Sequence, residues 1–506
     1  MRPSHKAGKC SYFEVCWEFA IGAFRNPVVS GFFPDPSVCR VGQDYYLATS
    51  SFEYVPGVPI LHSRDLVHWR QIGNALGEEQ LGFGPRVPAS GGVYAPTLRH
   101  HDGLFWLITT NLSGGGTVIV TATDPGGPWS DPVRVPGITG IDPDLAWDAE
   151  GNCWCTFAGI KQARIDPKTG ETLETPRRVW SGTPGAQYPE APHLYRIGEW
   201  WYLLIAEGGT ERGHGVSIAR GPRPDGPFTP CPANPILTHR STDRPIQNTG
   251  HGDLIQAHDG TWWLLFLGVR PRGGSPGYHV LGRETFLAPV TWVDGWPVIG
   301  DVAPVTEGPT LPAAPWPDSG GEEHDDFRGP RLHPRWIQPR VATARLDVRE
   351  GWLTVPEGGF AGRRQTHLSC RVQTRADAEP GAAGGLMVRL DERHWYGVHV
   401  DGDQVIAEAR IGPLRQVVGI HRRPPGPVLL TVAIDAAGPD PDSPTDSPDL
   451  VRLGLVADDE FVSLAELDGR YLSTEVAGGF TGRVIGLSAF RGTVHFDWFS
   501  YTGSDA

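Results

Sequence analysis

The chain has 506 residues, 44 basic against 58 acidic, for a formal charge of −14; a field of that sign repels phosphate backbones and anionic membrane surfaces and excludes nucleic acid as a partner. No run of about 18 apolar residues occurs, so no transmembrane helix is expected. Gly (66) and Pro (48) together exceed a fifth of the sequence, which favours many short strands joined by turns, and the length exceeds what one core ordinarily serves.

Residues 1–25 read as an N-terminal extension. They begin basic, but Glu14 and Glu18 fall where a secretory peptide needs an unbroken apolar run. The cysteines (Cys10, Cys16, Cys39, Cys153, Cys155, Cys231 and Cys370) are odd in number and lack metal-ligand spacing, as expected of reduced thiols in a cytoplasmic protein.

Residues 26–310 carry a fivefold repeat, in which a polar start leads through a short apolar run and a turn into an aromatic strand. The copies read PDPSVCRVGQDYYLATS, YAPTLRHHDGLFWLITT, IDPDLAWDAEGNCWCTF, PEAPHLYRIGEWWYLLI and GHGDLIQAHDGTWWLLF. Their aromatic anchors, Tyr46, Trp106, Trp154, Trp201 and Trp263, recur at intervals of 47 to 62 residues, room for about four strands per unit. Turns fall at Gly42, Asp102-Gly103, Glu150-Gly151, Gly198 and Asp259-Gly260, each joining two alternating runs as a hairpin requires. This predicts an all-β fold, a five-bladed β-propeller. At the matching start of the five innermost strands stand Asp35, Tyr94, Asp142, Glu190 and His251. Propeller closure would gather these three carboxyls, imidazole and phenol around one end of the axis.

Residues 311–325, rich in Pro, Gly and acidic side chains, read as a linker. From residue 326 to 506 short alternating runs recur without the propeller spacing, as in an antiparallel β-sandwich. Residues 436–449 have little apolar content and read as a disordered loop within it.

At these strand starts the sequence resembles glycoside hydrolase family 43, the β-xylosidase and α-L-arabinofuranosidase group. The resemblance rests on NPVVSGFFPDPSVCRVGQDYYLATSSFEYVPGVPILHSRDLVHW, YPEAPHLYRIGEWWYLLIAEGGT, GHGDLIQ and LGRETFLAPVTWVDGWPVI, and continues through DDFRG and GGFTGRVIGLSAF. It implies that the second domain is a concanavalin-like sandwich. It also implies Asp35 as general base, Glu190 as general acid and Asp142 as the carboxylate that tunes the acid. Arg283 would meet the sugar and the carboxyls, and His251 would lie under the site near a bound water or Ca2+. No cofactor is required. Phe52, Tyr94 and Thr210 are taken as substrate-binding, and the GGF loop at Phe480 would reach over the propeller mouth. Where family xylosidases usually read Trp-Ala-Pro, this chain has Tyr94-Ala95-Pro96, a smaller wall that keeps a hydroxyl. Asp144 is a second acid beside Asp142, whose assignment rests on register.

Glycosidic hydrolysis needs one protonated and one ionised carboxyl, and clustered acids divide these roles through mutual repulsion. The expected reaction is exo-acting and inverting, releasing xylose from the non-reducing end of xylo-oligosaccharides. The alternatives are arabinose release from arabinoxylan or arabinan side chains and, outside enzymes, a sugar-binding propeller. The oligomeric state stays open.

Overall fold

The computed structural model describes residues 21–83, 86–309, 322–340, 345–437 and 446–505. Five antiparallel sheets of four or five strands follow one another in sequence, each meandering outward from an innermost strand. The innermost strands are Ser37–Val41, Thr97–His101, Asp144–Trp147, Glu190–Ile197 and Gln247–Gln256. All five predicted turns carry glycine at positive φ: Gly42 (63°), Gly103 (75°), Gly151 (84°), Gly198 (59°) and Gly260 (90°). An added Cβ there would meet nothing within 4 Å, so backbone conformation, not crowding, selects glycine. Apolar clusters fill the wedges between neighbouring blades, for example Trp106, Ile108, Leu145, Cys155 and Phe157 between the second and third.

A buried ionic hub joins the five innermost strands along the axis. Arg99 donates to Asp144 at 2.8 Å and to Asp253 at 2.9 Å. Asp253 also accepts from Ser37 Oγ (3.0 Å), the Val38 N–H (2.9 Å) and Tyr195 Oη (2.5 Å), while Asp144 accepts the Leu194 N–H at 2.9 Å. Every blade contributes, and both carboxylates are fully buried, so loss of Arg99 would leave two uncompensated charges in the core. This hub is the rigid floor on which the strand starts are arranged.

The second domain packs an eight-stranded sheet on a six-stranded one, all pairings antiparallel, with its core between them. Among the described residues no helix is long and apolar enough to cross a membrane.

The expected boundaries shift in two places. Ile21–Arg25, assigned to the extension, pairs with Val305–Pro309, and Glu322–Asp325, assigned to the linker, pairs with Phe499–Thr502 of the sandwich. Both partners lie well over 100 residues away, beyond the reach of local composition. Residues 1–20 and 310–321 lie outside the described residues. So do 438–445 of the expected disordered loop, but its last residue, Asp449, is 1% exposed and forms a bidentate pair with buried Arg483 (2.7 and 3.0 Å). An acidic residue in a polar run is thus a core ion pair, which composition does not reveal. The described cysteines are free and buried; Cys10 and Cys16 lie outside the described residues.

Propeller and sandwich share one apolar core. Phe32, Phe52 and Tyr54 of the first domain pack with Ile337, Phe360, Met387, Trp395 and Val484 of the second, and Tyr94 and Phe480 pack against the same cluster.

Candidate active site

The nine residues singled out from sequence, Asp35, Phe52, Tyr94, Asp142, Glu190, Thr210, His251, Arg283 and Phe480, line one cavity together with Ile141. Asp35 and Asp142 stand two residues before their innermost strands and Glu190 opens its own. Asp35 (φ 58°), Phe52 (51°), Asp142 (53°) and His251 (46°) all adopt the left-handed conformation that non-glycine residues avoid. The strands bearing Glu190 and His251 slip register beside these residues. Such bulges and strained residues re-aim side chains, here toward the axis.

Asp35 is 4% exposed and held on both oxygens: Arg283 Nη1 donates to Oδ1 at 2.9 Å and Ser50 Oγ donates to Oδ2 at 2.5 Å. Burial alone would raise its pKa, but the Arg283 charge and then the Ser50 hydrogen bond hold it below the usual value. Asp35 is therefore an ionised, oriented carboxylate. Ser50 escaped the sequence reading; it sits two residues beyond the strand Asp44–Ala48, which returns the chain to the same rim, and that position was its only signal.

Glu190 has the opposite environment. Burial and then the negative charge of Asp35 push it up to about 7, against the pull of Arg283. Asp142 is also raised, by burial, then by Glu190 and Asp35, although it accepts the Ala191 N–H at 3.2 Å beside Glu190. The two carboxyls titrate as a pair that retains a proton near neutral pH. Asp144, the alternative to Asp142, does not line the cavity; it belongs to the Arg99 hub beneath.

Arg283 links base and walls. Its Nη1 also donates to Thr210 Oγ1 at 3.0 Å, and its guanidinium carbon lies 5.7 Å from the Phe52 ring centre and 5.5 Å from that of Phe480. Phe480, from the sandwich, stacks on Phe52 at 5.8 Å and meets Tyr94 edge-on at 6.1 Å. The cavity is small, about 70 Å³. That is well below the roughly 300–1,000 Å³ of drug-sized pockets.

His251 is buried, and burial lowers its pKa to about 3, so the imidazole is neutral and faces Asp35 at 3.5 Å without an ion pair. Ca2+ takes six to eight oxygens. The carboxylate nearest His251 is Asp35, already engaged by Arg283 and Ser50, and among the described residues no group of three or more His, Cys, Asp or Glu could hold a metal. These side chains do not fit a caged cation at His251.

The family model described as glycosyl hydrolases family 43 matches residues 24–297. The chain belongs to that family. The model described as a beta xylosidase C-terminal concanavalin A-like domain matches residues 324–502, which makes the sandwich the second half of a two-domain family 43 glycoside hydrolase. The chain is 39% identical over 517 residues to a non-reducing end alpha-L-arabinofuranosidase, BoGH43B, of Bacteroides ovatus, covering 94% of each protein. It is 43% identical over 297 residues to a xylosidase/arabinosidase of Butyrivibrio fibrisolvens, covering 54% of this chain and 56% of the relative. The crystal structure of a xylan beta-1,4-xylosidase from Bacillus halodurans superposes with a TM-score of 0.84 at 29% identity, over 95% of this chain and all of the other.

Proposed function

We propose that this family 43 enzyme removes one terminal xylose from the non-reducing end of β-1,4-xylo-oligosaccharides, in a single displacement that inverts the anomeric carbon. The carrying observation is the division of three carboxyls in one small cavity: Asp35 held ionised by Arg283 and Ser50, and the Asp142–Glu190 pair retaining a proton. Glu190 donates that proton to the glycosidic oxygen as its bond to the anomeric carbon breaks. Asp35 takes a proton from the water whose oxygen forms the new bond from the opposite face. Asp142 raises the proton affinity of Glu190 by its nearby charge. Arg283 keeps Asp35 ionised while its guanidinium, packed against Phe52 and Phe480, faces the sugar. The aromatic faces of Phe52, Tyr94 and Phe480 supply apolar area for the C–H face of a pyranose.

Release of arabinofuranose is the second reading, favoured by the Bacteroides ovatus relative that matches 94% of this chain. Initial rates of xylose release from xylobiose and of arabinose release from arabinoxylan fragments separate the two. A kcat/KM larger for xylobiose supports the first. A clear preference for the arabinosyl linkage replaces it with the second, and no release from either defeats both.

A further inference from the structure

Phe480 is carried by the sandwich but works in the cavity of the propeller, so something must hold it there. Ser90, on the loop before the second blade, contacts it directly: the Phe480 N–H donates to Ser90 Oγ at 2.8 Å. Ser90 is 9% exposed, and its remaining polar groups are also engaged. Its N–H donates to Oε2 of fully buried Glu53 at 2.9 Å, and its carbonyl accepts the Tyr94 hydroxyl at 3.1 Å. One residue thus touches the Phe480 backbone, the Tyr94 side chain and the neighbour of Phe52, which together make up the aromatic wall.

Two further features fit this contact. Ser90 adopts φ 60°, a left-handed conformation that a serine keeps only when its surroundings hold it. Gly479, at φ 87°, approaches so closely that an added Cβ would lie 2.5 Å from Ser90 Oγ. A Cβ at 479 would therefore crowd the Ser90 hydroxyl and displace it from the Phe480 N–H.

We infer that Ser90 is a positioning residue, an interdomain latch whose hydroxyl fixes Phe480, and through it the Arg283 guanidinium, around the sugar bound in the cavity. This rests on the exo-pentosidase reading of the site. A wall touching the sugar in both ground state and transition state contributes uniform binding, so its loosening raises KM more than it lowers kcat. A net hydrogen bond of ordinary strength corresponds to about a 2- to 10-fold change.

The test uses the full chain and S90A, S90G, F480A and the double variant S90A/F480A, assayed on xylobiose. S90G relieves the left-handed backbone while still removing the hydroxyl, so a loss common to S90A and S90G is not a folding defect. The expected result is a KM raised about 2- to 10-fold in both, kcat nearly unchanged, and a double variant no worse than F480A alone. Wild-type KM in S90A and S90G, or effects of S90A and F480A that multiply, overturns the latch. Hydrogen exchange of the Phe480 amide, followed by mass spectrometry on the peptide spanning residues 478–481, reads the same contact without turnover. Exchange accelerated in S90A supports the latch and unchanged exchange overturns it, even if the chain proves inactive on pentosides and the reading of the site itself fails.

Discussion

Arg283 holds Asp35 through a 2.9 Å charge-assisted hydrogen bond at a site where both side chains are over nine-tenths buried. The Arg283 charge is the largest influence holding Asp35 below its usual pKa, against the burial that raises Asp142 and Glu190 beside it.

Asp35→Asn and Glu190→Gln should each lower kcat by about 10² or more, because general acid–base catalysis contributes roughly 10²–10⁴. Far-UV circular dichroism should show both variants folded. Near-normal turnover by either purified protein would remove that residue from its role.

Asp142→Asn should move the alkaline limb of the rate profile downward. The limb reports loss of the last proton from the Asp142–Glu190 pair, which like charge raises; with a neutral amide at 142, Glu190 releases its proton at lower pH. A limb that stays in place would contradict the tuning role. Asp144→Asn should instead destabilise the propeller by removing a charge from the Arg99 hub.

Glu190 is raised in the fold from its ordinary 4.5 to about 7. Its contribution to stability is therefore fully present below about pH 4.5 and lost as pH rises through about 7. Glu190→Gln should unfold at a higher temperature than wild type at pH 8, by an amount equivalent to at least about 1 kcal/mol, with the gap closing near pH 4.5. Thermal melts at the two pH values check this, and a gap independent of pH would mean that Glu190 is not held in its raised state.

Removing residues 322–506 should abolish activity. The cut takes away Phe480 and exposes Phe32, Phe52 and Tyr54, whose partners Ile337, Phe360 and Trp395 lie in the sandwich. A soluble propeller with full activity would contradict both the shared core and the wall.

Much of the site was legible because the repeat aligns strand starts. Once Gly42, Gly103, Gly151, Gly198 and Gly260 mark equivalent turns, Asp35, Asp142 and Glu190 fall at equivalent depths, and propeller closure brings them together. What pairs across the fold was not legible. Nothing local marks Arg99 as the partner of Asp253, Asp449 as the partner of Arg483, or residues 21–25 as the partner of 305–309. Ser50 and Ser90 were missed for a related reason: each acts through one hydroxyl on a loop, and a lone serine in a Gly/Ser-rich stretch carries no periodic signal.

The stereochemistry of the first product tests the division of roles most directly. If Asp35 activates water while Glu190 protonates the leaving oxygen, displacement occurs in one step from the face opposite the aglycone. Proton NMR of 4-nitrophenyl β-xyloside hydrolysis, recorded in the first minutes before mutarotation, should then show α-xylose appearing first. If β-xylose appears first, together with transfer to added methanol, one carboxylate attacks the sugar directly through a covalent intermediate, and the assignment of Asp35 as base and Glu190 as acid in a single displacement is wrong.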